Sequence, residues 1–128
     1  HDEIEKALAT FDDMRFCRVH KPSVISCTRL LNVLVRRGRY EDGFSVYFKM
    51  VNSGISPTLV TFNTLLNCFC KACQIESAFA VLGVILKTGF SPCSITFNTL
   101  IDALMKSGRM DEALWLQASM CAEGCDPN

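Results

Sequence analysis

The chain has 128 residues, 49% of them hydrophobic, with 13 basic and 13 acidic side chains and a formal net charge of zero. This much apolar material is enough for a folded body, whereas a neutral sum excludes a general electrostatic attraction to polyanions and leaves only the local distribution of charge to provide one. Because no run of about 18 uninterrupted apolar residues occurs, we expect no membrane-spanning segment.

The sequence repeats itself every 35 residues. The segment TFNTLL at 61–66 returns as TFNTLI at 96–101. Prolines keep the same interval, at Pro22, Pro57, Pro92 and Pro127. Glycines precede the last three prolines by three residues, at Gly54, Gly89 and Gly124. A fixed period of this length is typical of helical repeat arrays.

The first predicted element is a helix over residues 1 to about 15. Its apolar residues match those of the second helix in later units, and they are Ile4, Ala7, Leu8, Phe11 and Met14. We therefore interpret residues 1–23 as the second helix and loop of a truncated preceding repeat. The loop, residues 15–23, is one residue longer than its counterparts if Met14 is aligned with Met50.

Three full units follow, at 24–58, 59–93 and 94–128. Each contains two amphipathic stretches, such as 60–71 and 75–87, whose apolar residues recur with the spacing of one buried helical face. The turn between the two stretches carries Gly38 or Gly108, which suits a left-handed residue at a helix C-terminus, and the middle unit has Cys73 in that place. A proline then prevents the second helix from continuing. The predicted fold is all-α, an α-solenoid of stacked helix-turn-helix repeats with about seven helices.

Eight cysteines raise the alternatives of disulfides, a zinc site or simple packing. Zinc requires four converging ligands, and Cys70-x-x-Cys73 has no second pair at a fitting distance and no histidine nearby. Cys68 and Cys70 occupy positions held by small or apolar residues in the other units, so we interpret both as packing residues. Many free thiols favour a reducing compartment.

The sequence contains no glycine-rich phosphate loop, no nucleophile elbow and no H-E-x-x-H helix. We therefore expect neither enzymatic activity nor a cofactor or metal.

Several phrases resemble a known family. They are V-T-F-N-T-L-L at 60–66, C-K-A at 70–72, G-R-M-D-E-A-L at 108–114 and the closing G-x-x-P. Together with the 35-residue hairpin, they make the whole chain resemble the pentatricopeptide repeat, an RNA-binding solenoid abundant in plant organelles. The tetratricopeptide repeat is the main helical alternative, but it has a period of 34 and a Trp, Leu-Gly and Tyr signature that is missing here.

The resemblance implies that each repeat faces one RNA base, which is contacted by three residues of the unit. The fifth residue and the last residue read the base edge, and the second residue packs against its face. The fifth residues here are Thr28, Asn63 and Asn98. The last residues are Thr58, Cys93 and Asn128. The second residues are Ile25, Val60 and Ile95. The chemistry agrees, because an amide can donate and accept while branched aliphatic side chains can cover the flat faces of unstacked bases.

The family pattern implies a target that reads purine, pyrimidine, pyrimidine from 5′ to 3′. Asn at the fifth place resembles a pyrimidine reader and Thr28 a purine reader, whereas Thr58 and Cys93 are unusual last residues. The residues alone leave alternatives open. Asn63 and Asn98 could cap helices, and Ile25, Val60 and Ile95 could serve packing alone.

A row of cations also follows the period, at Arg36, Lys71 and Lys106. The resemblance places a phosphate-contacting lysine at this position, and a regular row of cations can follow a nucleic acid backbone. The alternative is a favourable interaction of each cation with the C-terminal end of a helix dipole.

Two functions follow. The resemblance favours sequence-selective binding of single-stranded RNA, one base per repeat, in organellar RNA processing, stability or translation, with possible protein partners of an RNA-processing complex. The alternative is a helical-repeat scaffold for protein-protein interaction. The even spacing resembles the plain class of the family, and the implied compartment is the mitochondrion or, as an alternative, the chloroplast.

Overall fold

The computed structural model describes residues 2–16, 23–122 and 124, and the side chains of 3–11, 23–122 and 124. In chain order the helices are α1 (Asp2–Phe16), α2 (Val24–Arg36), α3 (Tyr40–Asn52), α4 (Leu59–Lys71), α5 (Ile75–Lys87), α6 (Ser94–Lys106) and α7 (Met110–Ala122). These described residues contain no strand, which confirms the predicted all-α fold. The expected helix over 75–87 is observed as such, and the one expected over 60–71 begins one residue earlier.

The first helices of the three units, α2, α4 and α6, are each directly preceded by the residue that ends the preceding unit. The Ser23 hydroxyl accepts a hydrogen bond from the Ser26 amide at 3.1 Å and so caps α2. Thr58 occupies the same place before α4, where Thr58 and Thr61 each accept a hydrogen bond from the backbone amide of the other. Such caps satisfy amides that have no partner within the helix.

Each unit folds as an antiparallel helix hairpin, and the hairpins stack. Helix α2 contacts α4, and α4 contacts α6, so the first helices form a continuous layer. The second helices α3 and α5 contact the first helix of the next hairpin much more than they contact each other. The first helices thus pack against one another more closely along the stack than the second helices do, and the stacked hairpins form the solenoid that the period predicts.

Apolar side chains fill the space between neighbouring hairpins rather than one central core. The Phe44 ring stacks on the Phe69 ring of the next unit with centroids 4.4 Å apart. Close packing also explains a small residue at the twentieth place of each unit. A Cβ added to Gly43 would lie 3.2 Å from the Leu31 side chain and 3.3 Å from Cys68 Sγ, and Ala78 and Ala113 are buried at the same place.

Two arginines link successive hairpins through ion pairs. Arg39 Nη2 lies 2.7 Å from Glu5 Oε1 of the preceding second helix, and Arg109 Nη1 lies 2.9 Å from Glu76 Oε1. Arg39 also pairs with Asp42, and Arg109 with Glu112, both at the start of the following helix. The middle unit has Gln74 in the arginine position, so the pattern is interrupted there.

None of the helices in the described part of the chain has the length and hydrophobicity needed to cross a membrane. The loop expected at 15–23 lies largely outside the described residues, as does Asn128. The unit boundaries 24–58, 59–93 and 94–128 stay a prediction.

The turns inside the three hairpins share one left-handed residue. Gly38 has φ 75° and Gly108 has φ 76°, as the sequence predicts, and Cys73 adopts φ 61° in the same place. A residue with a Cβ is disfavoured in this conformation because the Cβ approaches the following carbonyl.

Replacing Cys73 by glycine should therefore stabilise the protein. Relief of the left-handed strain exceeds the extra entropy that glycine loses on folding, and the expected gain in the free energy of unfolding is roughly 0.5–1 kcal/mol. Urea titration followed by circular dichroism measures it. The matched control is Gly38→Ala, which should lose about 1 kcal/mol. Equal midpoints for Cys73→Gly and the parent chain would contradict the prediction.

Candidate functional site

The second residue of each first helix is an aliphatic side chain that points away from the core. Ile25 is 62% exposed, Val60 is 63% exposed and Ile95 is 65% exposed. These similar values on three successive helices place the residues on one face of the layer formed by α2, α4 and α6. About two thirds of each of these side chains is therefore open to solvent and to a ligand.

A cleft of about 270 Å³ lies between the N-terminal ends of α2 and α4. Four of the residues singled out in the sequence line it, namely Ile25, Thr28, Thr58 and Val60. The two aliphatic residues come from neighbouring units, and the two threonines bring the polar atoms. The fold thus brings together a second, a fifth and a last residue of one unit with the second residue of the next.

The polar wall of this cleft is hydrogen-bonded across the boundary between two units. Thr28 Oγ1 donates to the Val24 carbonyl at 2.7 Å and lies 2.8 Å from Thr61 Oγ1. Thr61 Oγ1 in turn accepts from the Thr58 amide at 3.1 Å. Thr61 is fully buried, whereas Thr28 is half-buried and Thr58 is exposed.

The same arrangement recurs one unit later around Asn63. Thr96 Oγ1 donates to Asn63 Oδ1 at 2.6 Å, and Asn63 Nδ2 lies 3.6 Å from Cys93 Sγ. Asn63 is thus bonded to the next unit, and these contacts do not cap the start of its own helix. The residues that directly precede α4 and α6 are instead the last residues of the units, Thr58 and Cys93, and the Thr58 hydroxyl caps α4.

The surroundings of Cys93 change the acidity of its thiol. Partial burial raises the pKa, but hydrogen bonds with the Thr96 side chain, with the Thr96 and Ile95 backbone and with the Asn63 amide outweigh burial, so the pKa lies below its ordinary value. Burial has the opposite net result elsewhere and raises the pKa of Cys70 to about 11 and that of Cys68 to about 12.

A larger groove of about 630 Å³ runs between the C-terminal halves of α4 and α6. Its lining includes Lys71, Asn98 and Lys106, three of the predicted site residues. Arg36 is exposed at the end of α2 and lines neither cavity. Lys49 lies in the last turn of α3 and Lys87 ends α5, so a helix-dipole interaction suits any of these cations. What distinguishes Lys71 and Lys106 is the groove that they share with Asn98.

Lys106 also has an acidic neighbour. Its Nζ lies 3.0 Å from Asp102 Oδ2, one helical turn away, and both side chains are mostly exposed. An exposed pair of this kind contributes little to stability, so the lysine can exchange its partner at small cost.

The described cysteines behave as packing residues or free thiols. Cys68 is fully buried and Cys70 is partly buried against the core, which confirms their interpretation as small apolar residues. In the described part of the chain, no group of three or more histidine, cysteine or acidic side chains lies close enough to hold a metal ion.

Sequence reasoning missed two residues of the site, Thr61 and Thr96. Both are fully buried hydroxyls at the third place of their units, and Ser26 holds that place in the first unit. Their period was visible in the TFNTL phrase, but a threonine in a helix is ordinary until its partner in the neighbouring unit is known.

The lowered pKa of Cys93 predicts that this thiol is alkylated before the buried ones. The thiolate is the reactive form, so at a given pH a lower pKa gives a larger reactive fraction. Iodoacetamide labelling between pH 6.5 and 9.5, followed by peptide mass spectrometry, should show Cys93 reacting ahead of Cys70 and Cys68. Its rate should also level off at a lower pH than that of free cysteine. Equal labelling of Cys93 and Cys70 across this range would contradict the assignment.

Comparison with family models identifies repeats along most of the chain. The PPR repeat family model matches residues 22–71 and 92–128, and the PPR repeat model matches residues 60–90. A comparison with curated protein sequences finds no significant match.

Solved structures share the fold. The pentatricopeptide repeat protein PPR10 from maize is 26% identical with a TM-score of 0.79, and the match covers 98% of this chain and 18% of PPR10. PPR10 in complex with an 18-nt psaJ RNA element gives a TM-score of 0.84 at 26% identity, covering 99% of this chain and 19% of PPR10. The chain thus spans about a fifth of the length of PPR10.

The PPR domain of Arabidopsis thaliana protein-only RNase P 1, in complex with tRNA, has a TM-score of 0.85. It is 20% identical, and the match covers 98% of this chain and 66% of that one, so it is similar in fold. The repeat matches and the stacked hairpins lead to one conclusion: the chain belongs to the PPR repeat family.

Proposed function

We propose that the chain binds single-stranded RNA and reads one base with each repeat. The observation that carries the proposal is the cleft between Ile25 and Val60, in which two exposed aliphatic side chains flank the polar atoms of Thr28 and Thr58. Single-stranded RNA is recognised through unstacked bases whose faces are covered and whose edges are hydrogen-bonded. A base inserted between the aliphatic residues would meet these polar atoms with its edge.

In the second unit, Asn63 would offer a hydrogen-bond donor to the edge of the base. Its Oδ1 is already bound to Thr96 and one of its two amide protons faces Cys93 Sγ, so the second amide proton is the group left to address a ligand. Both pyrimidines carry a carbonyl oxygen at C2, and a single N–H donor can recognise this oxygen in either of them. Purines also carry acceptors, such as N3 and N7, so the donor accounts for a base-edge contact, and the pyrimidine preference expected for Asn63 rests on the family resemblance.

The groove of Lys71, Asn98 and Lys106 supports a path for the RNA backbone. Each lysine stands at the end of a first helix, about 17 Å along the axis from the exposed aliphatic residue at its start. The sugar, the phosphate and the long lysine side chain together bridge much of that distance. The chain has a net charge of zero, and a local row of cations would still allow it to bind a polyanion.

A structural relative supports the proposal. PPR10 is seen with an RNA element, and its match covers nearly all of this chain. Recognition rather than catalysis is the function proposed here. The role in RNA processing, stability or translation, the possible protein partners, the plain class of repeat, and the mitochondrion or chloroplast as compartment are carried by the family resemblance alone.

The first test concerns base reading. In a short unstructured RNA with a purine-pyrimidine-pyrimidine core, the parent chain should prefer a pyrimidine over a purine at the second nucleotide. Asn63→Ala should remove about fivefold or more of that preference, since one hydrogen bond is worth about 1 kcal/mol. Fluorescence anisotropy at low salt measures the affinities.

Asn52→Ala provides the matched control for this test. Asn52 is exposed at the end of α3, in the other helix layer, and its replacement should leave the preference unchanged. If the parent chain shows no binding to any single-stranded RNA, the proposed function is wrong and a protein-binding scaffold becomes the better hypothesis.

The second test concerns the backbone contact. Lys106→Ala should weaken binding to all RNA sequences alike and reduce the slope of log K against log salt by about 0.7, the value for one phosphate of a single strand. Asp102→Asn should strengthen binding because it removes the carboxylate that competes for Lys106. Titrations at several salt concentrations measure both slopes.

Lys87→Ala is the control for this second test, because Lys87 ends a second helix and lies away from the groove. A slope for Lys106→Ala equal to that for Lys87→Ala would show that Lys106 does not contact a phosphate.

A further inference from the structure

The buried hydroxyl of Thr96 lies where two units meet and touches both residues that the family pattern assigns to base reading. It is 2.6 Å from Asn63 Oδ1 and 3.6 Å from Cys93 Sγ, and its own side chain is fully buried. Thr96 therefore cannot contact a base that enters from the surface, but it does hold the atoms that can.

The direction of the Thr96 proton follows from its neighbours. The Cys93 amide donates to Thr96 Oγ1 at 3.2 Å, which occupies a lone pair of the hydroxyl. The hydroxyl proton is then free to be donated, and the closest acceptor is Asn63 Oδ1. A hydroxyl has one proton and an amide group has distinct donor and acceptor ends, so this bond selects one of the two orientations of the Asn63 amide.

We propose that Thr96 is a positioning residue for base selection: by fixing the Asn63 amide with its nitrogen available to the ligand, it sets the preference for an acceptor-bearing pyrimidine edge. The inference rests on the proposed function. It also means that the slot of one unit is completed by the third residue of the next unit, so the specificity of a repeat depends on its successor.

Thr61 occupies the same position relative to Thr28 and gives a different result. The Thr58 amide donates to Thr61 Oγ1, and Thr28 Oγ1 donates to the Val24 carbonyl, so the proton between the two threonines belongs to Thr61. Thr28 is left with a lone pair for a ligand. In both units the hydrogen bonds run from a backbone amide to a buried threonine hydroxyl and from there to the fifth residue, and we call this chain of bonds the relay. The relay leaves an acceptor in the first unit and a donor in the second.

The experiment compares Thr96→Val with Thr96→Ser in the full chain. Valine has nearly the same shape but no hydroxyl, so the Asn63 amide loses the stronger of its two contacts, the one that holds its oxygen, and the pyrimidine preference at the second nucleotide should fall about fivefold or more. Serine keeps the hydroxyl and should retain the preference. The probes are short single-stranded RNAs that differ at one nucleotide, with affinities measured by fluorescence anisotropy.

Thr61→Val supplies the internal control, because it should change discrimination at the first nucleotide and leave the second unaffected. A general loss of affinity without any change in base preference is what a merely structural role would produce, and it would overturn the inference. Undiminished pyrimidine preference in a folded Thr96→Val would also overturn it, while the proposed function would stand. Absence of discrimination by the parent chain would instead overturn the proposed function and, with it, the inference.

A measurement without RNA covers the case in which Thr96→Val does not fold. In the parent chain, nuclear magnetic resonance should detect a slowly exchanging Thr96 hydroxyl proton with an Overhauser contact to the Asn63 side-chain amide. The two amide protons should also keep separate, sharp signals. A rapidly exchanging hydroxyl with no such contact would contradict the fixed orientation.

Discussion

The packing of each first helix between its two neighbours is the constraint on which the rest of the structure depends. Helix α4 lies between α2 and α6, and its buried face includes Phe62, Leu65 and Leu66. Once that face is fixed, the residues on the opposite side of the helix must point outward. Val60 is therefore exposed while Thr61, its neighbour in sequence, is fully buried. The surface that the proposed function uses is thus a consequence of the same contacts that hold the hairpins together.

Most of the fold could be predicted from the sequence because its signals are local and repeated. The apolar spacing in 75–87 defines a helix without reference to any other part of the chain, and α5 has those bounds. The glycines of the hairpin turns likewise predict a left-handed residue, because glycine has no Cβ and adopts this conformation without strain. Cys73 carries no such signal, and its left-handed conformation follows only from its place in the period. Repetition therefore predicts what residue type alone would not.

The candidate site was predictable only in part, since its residues are defined by contacts between units. The period identified Ile25, Thr28, Thr58 and Val60 as members of a set, but the cleft that they share depends on how two hairpins stack. The ion pair between Arg39 and Glu5 spans 34 positions in sequence and shows the same limit. The directions of the hydroxyl protons are still harder to predict from the sequence, because they depend on which neighbouring groups donate and which accept.

The junction between units has one more consequence. Thr58 and Cys93 end one unit and also precede the first helix of the next, so the residue that the proposed function places at the base edge also lies at the N-cap of a helix. Threonine is a good residue at a helix start, and its hydroxyl forms a reciprocal pair with Thr61. Cysteine is a weaker hydrogen-bonding group, and its Sγ lies 3.6 Å from both Thr96 Oγ1 and Asn63 Nδ2. The backbone amide of Cys93 still bonds Thr96, so the relay to Asn63 does not depend on the side chain at the last place. Base selection in the second unit can therefore be set by Asn63 and Thr96 even though Cys93 departs from the family pattern.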